Sequence, residues 1–348
     1  MGAVLLAGTK DGLHVFLSDN TRAQWMPRAR VLTGQDISAV GIDTRNGTAF
    51  FAGSENGVFR SENANSWEPS SVGLSAARVW TLQPASDNAS GVVFAGCEPA
   101  GLFRSDDGGR TWSETQPLAR LRQSEKWEGG FGGLCLHSIV CDGADTQRML
   151  IGISAAGVRV TSDGGKTWAL SMGGMLDLPD NPTDAQKQQV GARYCIHKLS
   201  APLCECGRIY QKNHYGVFRS EDRGAQWTEI SAGLPWLGGF PLVAHPHDRD
   251  TVFVIPAIPD TPHIPGALRV FRSRDAGKTW QALSDGIPQD GDHRMYRECL
   301  SVDTAQPCGV YFGTKEGNLY ASADEGDHWQ TVATGLPPIR AVRAAVIG

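Results

Sequence analysis

The chain has 348 residues, 41% of them hydrophobic, and a net charge of −5 from 32 basic and 37 acidic side chains. The basic residues are scattered rather than striped, which excludes a nucleic-acid footprint, and no apolar run approaches the roughly 20 residues of a membrane helix. The 42 glycines and 19 prolines, with few apolar stretches of helical period, point to many short strands joined by tight turns.

From the N-terminus, MGAVLLAGTKDGLHVF has a short apolar run and no basic segment ahead of it. It reads as a strand and not as a signal peptide. Without an export signal, the eight cysteines (Cys97, Cys135, Cys141, Cys195, Cys204, Cys206, Cys299 and Cys308) are expected to be thiols in a reducing, cytoplasmic setting.

One octet then recurs, Ser/Thr-x-Asp-x-Gly-x-Thr-Trp. It stands as SDDGGRTW (105–112), TSDGGKTW (161–168) and SRDAGKTW (273–280), more loosely as SEDRGAQW (220–227) and SADEGDHW (322–329), and in degenerate form as SDNTRAQW (18–25) and SENANSW (61–67). The closing tryptophans, Trp25, Trp67, Trp112, Trp168, Trp227, Trp280 and Trp329, fall at intervals of roughly 50 residues, a period typical of propeller blades. The octet resembles the Asp-box, or BNR, repeat. Its residue types suit a structural turn: Ser and Asp cap backbone donors, Gly takes a conformation closed to other residues, and Trp packs between sheets.

Each period holds four strand-like runs. In blade three these are GLCLHSIVCD, RMLIGISA, GVRVTSD and TWALSM. The first runs of blades one, two, four, five, six and seven are DISAVGID, RVWTLQPA, RYCIHKLSA, FPLVAHP, RECLSVD and PIRAVRAAVIG. The last has no partners after it, and the N-terminal VLLAGTK, GLHVFLS and AQWMPRA supply them. The predicted fold class is all-β: a seven-bladed β-propeller with Asp-box turns, one domain over residues 1–348. Its ring is closed by N- and C-terminal strands in one blade, which removes free sheet edges.

Antiparallel connectivity puts the linkers 117–132, 173–193 and 285–296 and the hairpin 256–266 on one face, opposite the Asp boxes. Four long connections at one mouth predict a binding site there. A short capping helix is expected near 181–189. Because alternate strand residues face the same way, one channel ring reads Ser38, Trp80, His137, His197, Pro241, Glu298 and Arg340. The ring nearer the mouth reads Asp36, Arg78, Cys135, Cys195, Gly239, Tyr296 and Pro338.

Two Cys-x-His pairs, Cys135/His137 and Cys195/His197, thus occupy matching positions in adjacent blades. With His214 they offer thiol and imidazole ligands suited to a transition metal (Zn, Cu or Fe). Glu298 is expected as carboxylate ligand or base. Arg297, Arg340, Lys10 and Lys315 are candidates to hold an anionic group, Trp80 to stack on a ring, and Arg78 and Glu98 to line the mouth. The bland alternative is small buried cysteines and solvated histidines. A weaker cluster, Cys204, Cys206, His245 and His247, falls in turns on the opposite face.

On the stretches GGLCLHSI, ISAAGV, YCIHKL, KNHYGVFRSEDRGAQW, GVYFGT and YASADEGDHW, the chain resembles bacterial cytosolic seven-bladed BNR-repeat proteins. These are often named exo-alpha-sialidase or glycosyl hydrolase. The resemblance implies a shared site at His137, His197, His214 and Glu298, with Asp usual at the last position. It extends to sortilin-like receptors and photosystem assembly factors, which implies a peptide-holding scaffold as an alternative. The Arg-Ile-Pro motif of sialidases is absent from the sequence.

The leading expectation is a metal-dependent hydrolase, lyase or oxidoreductase with a small-molecule substrate, and neither a nucleic-acid nor a membrane partner. The alternatives are a protein-binding scaffold and a glycoside hydrolase using Glu298 with Glu98 or Glu128.

Overall fold

The computed structural model describes residues 2–45, 47–75, 78–85, 91–130, 132–175, 194–203, 207–258, 264 and 266–347. The strands form seven four-stranded antiparallel sheets. Their inner strands are Ala39–Asp43, Arg78–Pro84, Leu136–Cys141, Lys198–Ser200, Leu242–Ala244, Leu300–Val302 and Ile339–Val346. Each packs beside the next around a central axis, and the last returns to the first. The molecule is the seven-bladed propeller that the repeat predicts.

Blade three shows the common plan: Leu136–Cys141, Met149–Ile153, Gly157–Thr161 and Ala169–Leu170 in sequential order. Blade seven is composite. Its inner strand Ile339–Val346 pairs antiparallel with Ala3–Thr9, from Ala3 opposite Val346 to Gly8 opposite Ala341. Gly12–Ser18 and Trp25–Val31 complete it. The core lies between blades: Leu150 and Val158 of blade three pack with Ile196, Leu199, Phe218 and Trp227 of blade four. Burying each such side chain contributes roughly 1.5–3 kcal/mol.

The Asp boxes hold their own turns and also clasp the preceding blade. In the box at 105–112, Gly109 N–H donates to Ser105 Oγ at 2.8 Å, Thr111 N–H donates to Asp107 Oδ1 at 2.9 Å, and the Thr111 hydroxyl donates to Asp107 Oδ2 at 2.7 Å. Trp112 Nε1 donates across to the Ser70 carbonyl of blade one at 2.8 Å; Trp227 and Trp280 do the same to Ser171 and Ile230, each at 2.9 Å. The fifth-position glycine is required twice over. Gly277 has φ +89, and a Cβ there would strike Ile230 of the preceding blade. At Gly109 it would stand 2.5 Å from the Phe51 ring.

Among the described residues one α-helix is present, Gln116–Ser124, in the linker between blades two and three. It was not expected, although Thr115 at its N-cap and a proline in its first turn are helix-start signals. Its apolar residues Leu118 and Ala119 are buried against blade two. The helix expected near 181–189 lies outside the described residues. No helix among the described residues is long and apolar enough to cross a membrane. Cys97, Cys135, Cys195, Cys299 and Cys308 are free thiols.

Gly277→Ala is expected to lower stability by about 1–3 kcal/mol, the usual cost of overpacking. At Gly143 the nearest atom to an added Cβ is 3.9 Å away, so Gly143→Ala should stay within about 0.5 kcal/mol of wild type; urea unfolding measures both. Hydrogen bonds from Thr167 and Thr279 hold the Asp163 and Asp275 carboxylates down to about 2. Since the unfolded value is about 3.9, their contribution is complete above it and is lost as pH falls toward 2. The acid-unfolding midpoint of Thr167→Val/Thr279→Val should therefore move to higher pH, read by circular dichroism.

Candidate functional site

Three inner strands are interrupted at the same level. Trp80 has no ladder partner between Val79 and Thr81, His137 none between Leu136 and Ser138, and Arg340 none between Ile339 and Ala341. Each is the extra residue of a β-bulge, a device that re-aims a side chain out of strict alternation. The middle channel ring expected from alternation is thus a ring of irregularities. The fourth member, His197, sits just ahead of its strand, with its N–H donating to the Lys212 carbonyl at 2.8 Å.

At this level one potential ligand atom from each of Cys195, His197 and His214 lies within 4.8 Å of the others. The His197 and His214 rings meet edge to face with centroids 4.4 Å apart. His197 Nδ1 is 2.9 Å from the Gly239 carbonyl. A carbonyl can only accept, so Nδ1 carries the proton and Nε2 presents its lone pair. That Nε2 is buried and meets no hydrogen-bond partner. Burial, reinforced by the Arg297 guanidinium, holds His197 well below the ordinary histidine range, so it is the neutral, ligating form. His214 is exposed. Burial pushes the Cys195 thiol up, while Arg297 opposes it.

Cys135 and His137 stand close by but outside this cluster. The Cys135 thiol contacts the Gly132 carbonyl at 3.2 Å and is pushed up to about 12 by burial and by Glu98. His137 is wholly buried, with Nδ1 3.3 Å from Ser138 Oγ, and burial keeps it neutral. Of the five expected ligands, the structure groups Cys195, His197 and His214, while Cys135 and His137 fall outside that group, His137 being the extra residue of the bulge.

Arg297 lies over this cluster. Its guanidinium is 4.5 Å from the Phe240 ring and 5.8 Å from the Trp80 ring, and its Nε is buried without an acceptor. Burial lowers its pKa, opposed by the titratable groups of Cys195, Cys135, Glu298 and Glu98. The other candidates are engaged. Arg340 and Arg78 share the Asp36 carboxylate at 2.7 and 3.2 Å, and Arg340 and Lys315 both lie on the Tyr296 ring. Trp80 Nε1 donates to Glu98 at 3.0 Å. Lys10 is exposed in its hairpin turn, and Glu128 is exposed in its linker.

Glu298 forms an ion pair with Lys198, two blades round the ring. Lys198 was not singled out from the sequence, although it follows His197 directly. The pair spans the axis and divides the channel. On the loop side, Glu298, Arg297, Trp80, Tyr296, Arg340 and Ser38 leave a void of about 10 Å³. On the Asp-box side a chamber of about 470 Å³ opens. Among the described residues, the larger space is therefore at the end opposite the long loops.

A second group, His245, Cys308 and Glu325, also brings its donors within 4.8 Å. Here the tautomer is reversed. His245 Nδ1 accepts the N–H groups of His247 and Asp248 at 3.1 and 2.9 Å, so Nε2 carries the proton and points to Glu325 at 3.4 Å. Glu325 is further bound by Arg274 at 2.7 Å. This is a hydrogen-bonded ion cluster without a free imidazole lone pair. Cys204 and Cys206 lie outside the described residues.

The fold and site define an Asp-box propeller with a thiol–imidazole cluster beside an arginine at the channel waist. Consistent with this, the BNR/Asp-box repeat family pattern matches residues 103–114. Over 248 residues, 62% of the chain, it is 23% identical to a probable oligoxyloglucan-reducing end-specific xyloglucanase of Neosartorya fischeri. Over 219 residues it is 21% identical to the oligoxyloglucan-reducing end-specific xyloglucanase of Emericella nidulans. The chain spans only 29% and 25% of those relatives' lengths. Among solved structures, an ancestral GH74 enzyme superposes with a TM-score of 0.59 at 15% identity, covering 86% of this chain and 39% of that one. YCF48 bound to D1 peptide superposes at 0.55 and 14% identity, covering 87% and 84%. These likenesses establish the propeller fold.

Lys198 and Glu298 are largely buried, at 13% and 9% side-chain exposure. Lys198→Met alone should cost about 3–5 kcal/mol by stranding the carboxylate, and Lys198→Met/Glu298→Leu should recover most of that loss. A double-mutant cycle in urea measures both.

Proposed function

We propose that this propeller is a metal-dependent enzyme: Cys195, His197 and His214 hold the ion, and Arg297 draws a small anionic substrate to it. The carrying observation is the buried, unpartnered Nε2 of His197, fixed in its ligating tautomer by the Gly239 carbonyl and converging with two further donors within 4.8 Å. A hydrogen bond on the far ring nitrogen is the usual support of a metal-bound histidine.

The donor set suits Zn, Cu or Fe. Bonds of 2.0–2.3 Å would draw tetrahedral donors to separations of about 3.3–3.7 Å, a closure that rotation of the exposed His214 can supply. When bound, such an ion supplies a Lewis acid or a redox centre.

The chain's own residues do the rest. His197 is rigid and His214 lies on the solvent side, so an incoming molecule approaches past His214. Arg297 keeps its guanidinium beside two aromatic faces and makes no ion pair among the described residues, so an anion arriving there gains a desolvated ionic partner. Trp80 and Phe240 present flat apolar faces beside the same spot. Glu298 borders that void and holds a carboxylate toward it.

Purified protein reconstituted with Co²⁺ should bind one equivalent and show thiolate-to-cobalt charge-transfer absorption. Cys195→Ser should abolish that band, and His197→Ala should reduce affinity by about 10–100-fold, a loss typical for weakening a metal site. Substoichiometric cobalt, or full retention in Cys195→Ser/His197→Ala, would falsify the metal reading. The xyloglucanase likeness favours a second reading, a glycosidase, and release of reducing sugar from xyloglucan oligosaccharides by metal-free protein would establish it instead.

A further inference from the structure

The chamber of about 470 Å³ at the Asp-box end has the size of a small-molecule site. Its axial wall carries Lys198, Glu298 and Arg343. Lys198 and Glu298 neutralise one another. Asp303, also at the wall, is taken by Arg22 at 3.0 Å and by the Tyr311 hydroxyl at 2.7 Å. The half-buried Arg343 makes no hydrogen bond or ion pair among the described residues. Among the described residues the chamber thus holds one uncompensated cation, close enough to Lys198 for the two positive charges to be felt. The remaining surface is mixed: Ile139, Leu199, Val243 and Leu300 are apolar, and Thr81 and Gln83 offer polar side chains.

We propose that this chamber is a second binding site, distinct from the thiol–imidazole cluster, for a small organic monoanion with an apolar body, its charged group held by Arg343. One negative charge balances the wall, whereas a dianion would face Glu298 without a second free cation. A guanidinium accepts a carboxylate with two parallel hydrogen bonds, and the four aliphatic side chains cover a short alkyl or aryl tail. The proposal does not depend on metal binding, because none of the three clustered donors, Cys195, His197 and His214, lines the chamber.

The test is calorimetric titration of the full chain with 4-phenylbutyrate and its neutral isostere 4-phenylbutanamide. The acid should bind saturably and at least about tenfold more tightly than the amide, the discrimination expected of one charge-assisted contact. Arg343→Gln should erase that preference, Val243→Trp should block both compounds by filling the chamber, and His197→Ala should change neither. Equal affinity for acid and amide, preference retained in Arg343→Gln, or no saturable binding of the acid overturns the proposal. Should Arg343→Gln fail to fold, the acid–amide comparison and Val243→Trp decide the matter. Failure of the wild-type protein to bind cobalt, with acid binding intact, would sink the metal reading and leave this one standing.

Discussion

The structure depends on the contact that the Asp boxes of blades two, four and five make with the blade before each. Side chains of one sheet fill the space beside a glycine of the next, as Ile230 does against Gly277 and Phe51 against Gly109. The tryptophan then hydrogen-bonds a carbonyl of that same neighbour. Blades two, four and five cannot shift along the axis without breaking both contacts. The inner strands, some of only three residues, are too short to fix the channel themselves. Their positions are imposed from the rim inward.

That division of labour explains what was legible in the sequence. The octet marks the rim, and alternation between octets marks the strands, so the blade count, the inner strands and the composite seventh blade follow from residues alone. The arrangement at the axis does not. Side-chain alternation assumes two residues per repeat, and a bulge inserts one more. Three of the seven inner strands carry such an insertion, so a register drawn from alternation places Trp80, His137 and Arg340 at the right level but cannot aim them. Lys198 was passed over because it follows a histidine assigned inward. Arg343 was passed over because it stands three positions after Arg340, an odd interval that an unbroken strand would turn outward. Helix Gln116–Ser124 is a different case, since Thr115 and Pro117 signalled it locally.

The two histidine-containing clusters show how little proximity alone decides. Both bring three potential ligands within the same distance. What separates them is a backbone group on the far side of each ring: a carbonyl behind His197, two N–H groups behind His245. The first leaves a lone pair facing the cluster and the second leaves a proton. Arg297 adds an electrostatic difference, because a guanidinium packed beside aromatic faces retains its charge without a fixed counterion.

The salt link between Lys198 and Glu298 acts as a diaphragm across the barrel of blades. Many toroidal proteins are pictured as having a bore, yet here the bore is two blind wells placed back to back. Traffic between the two spaces at this point would require two opposite, largely buried charges to part, so each space is free to serve an unrelated molecule.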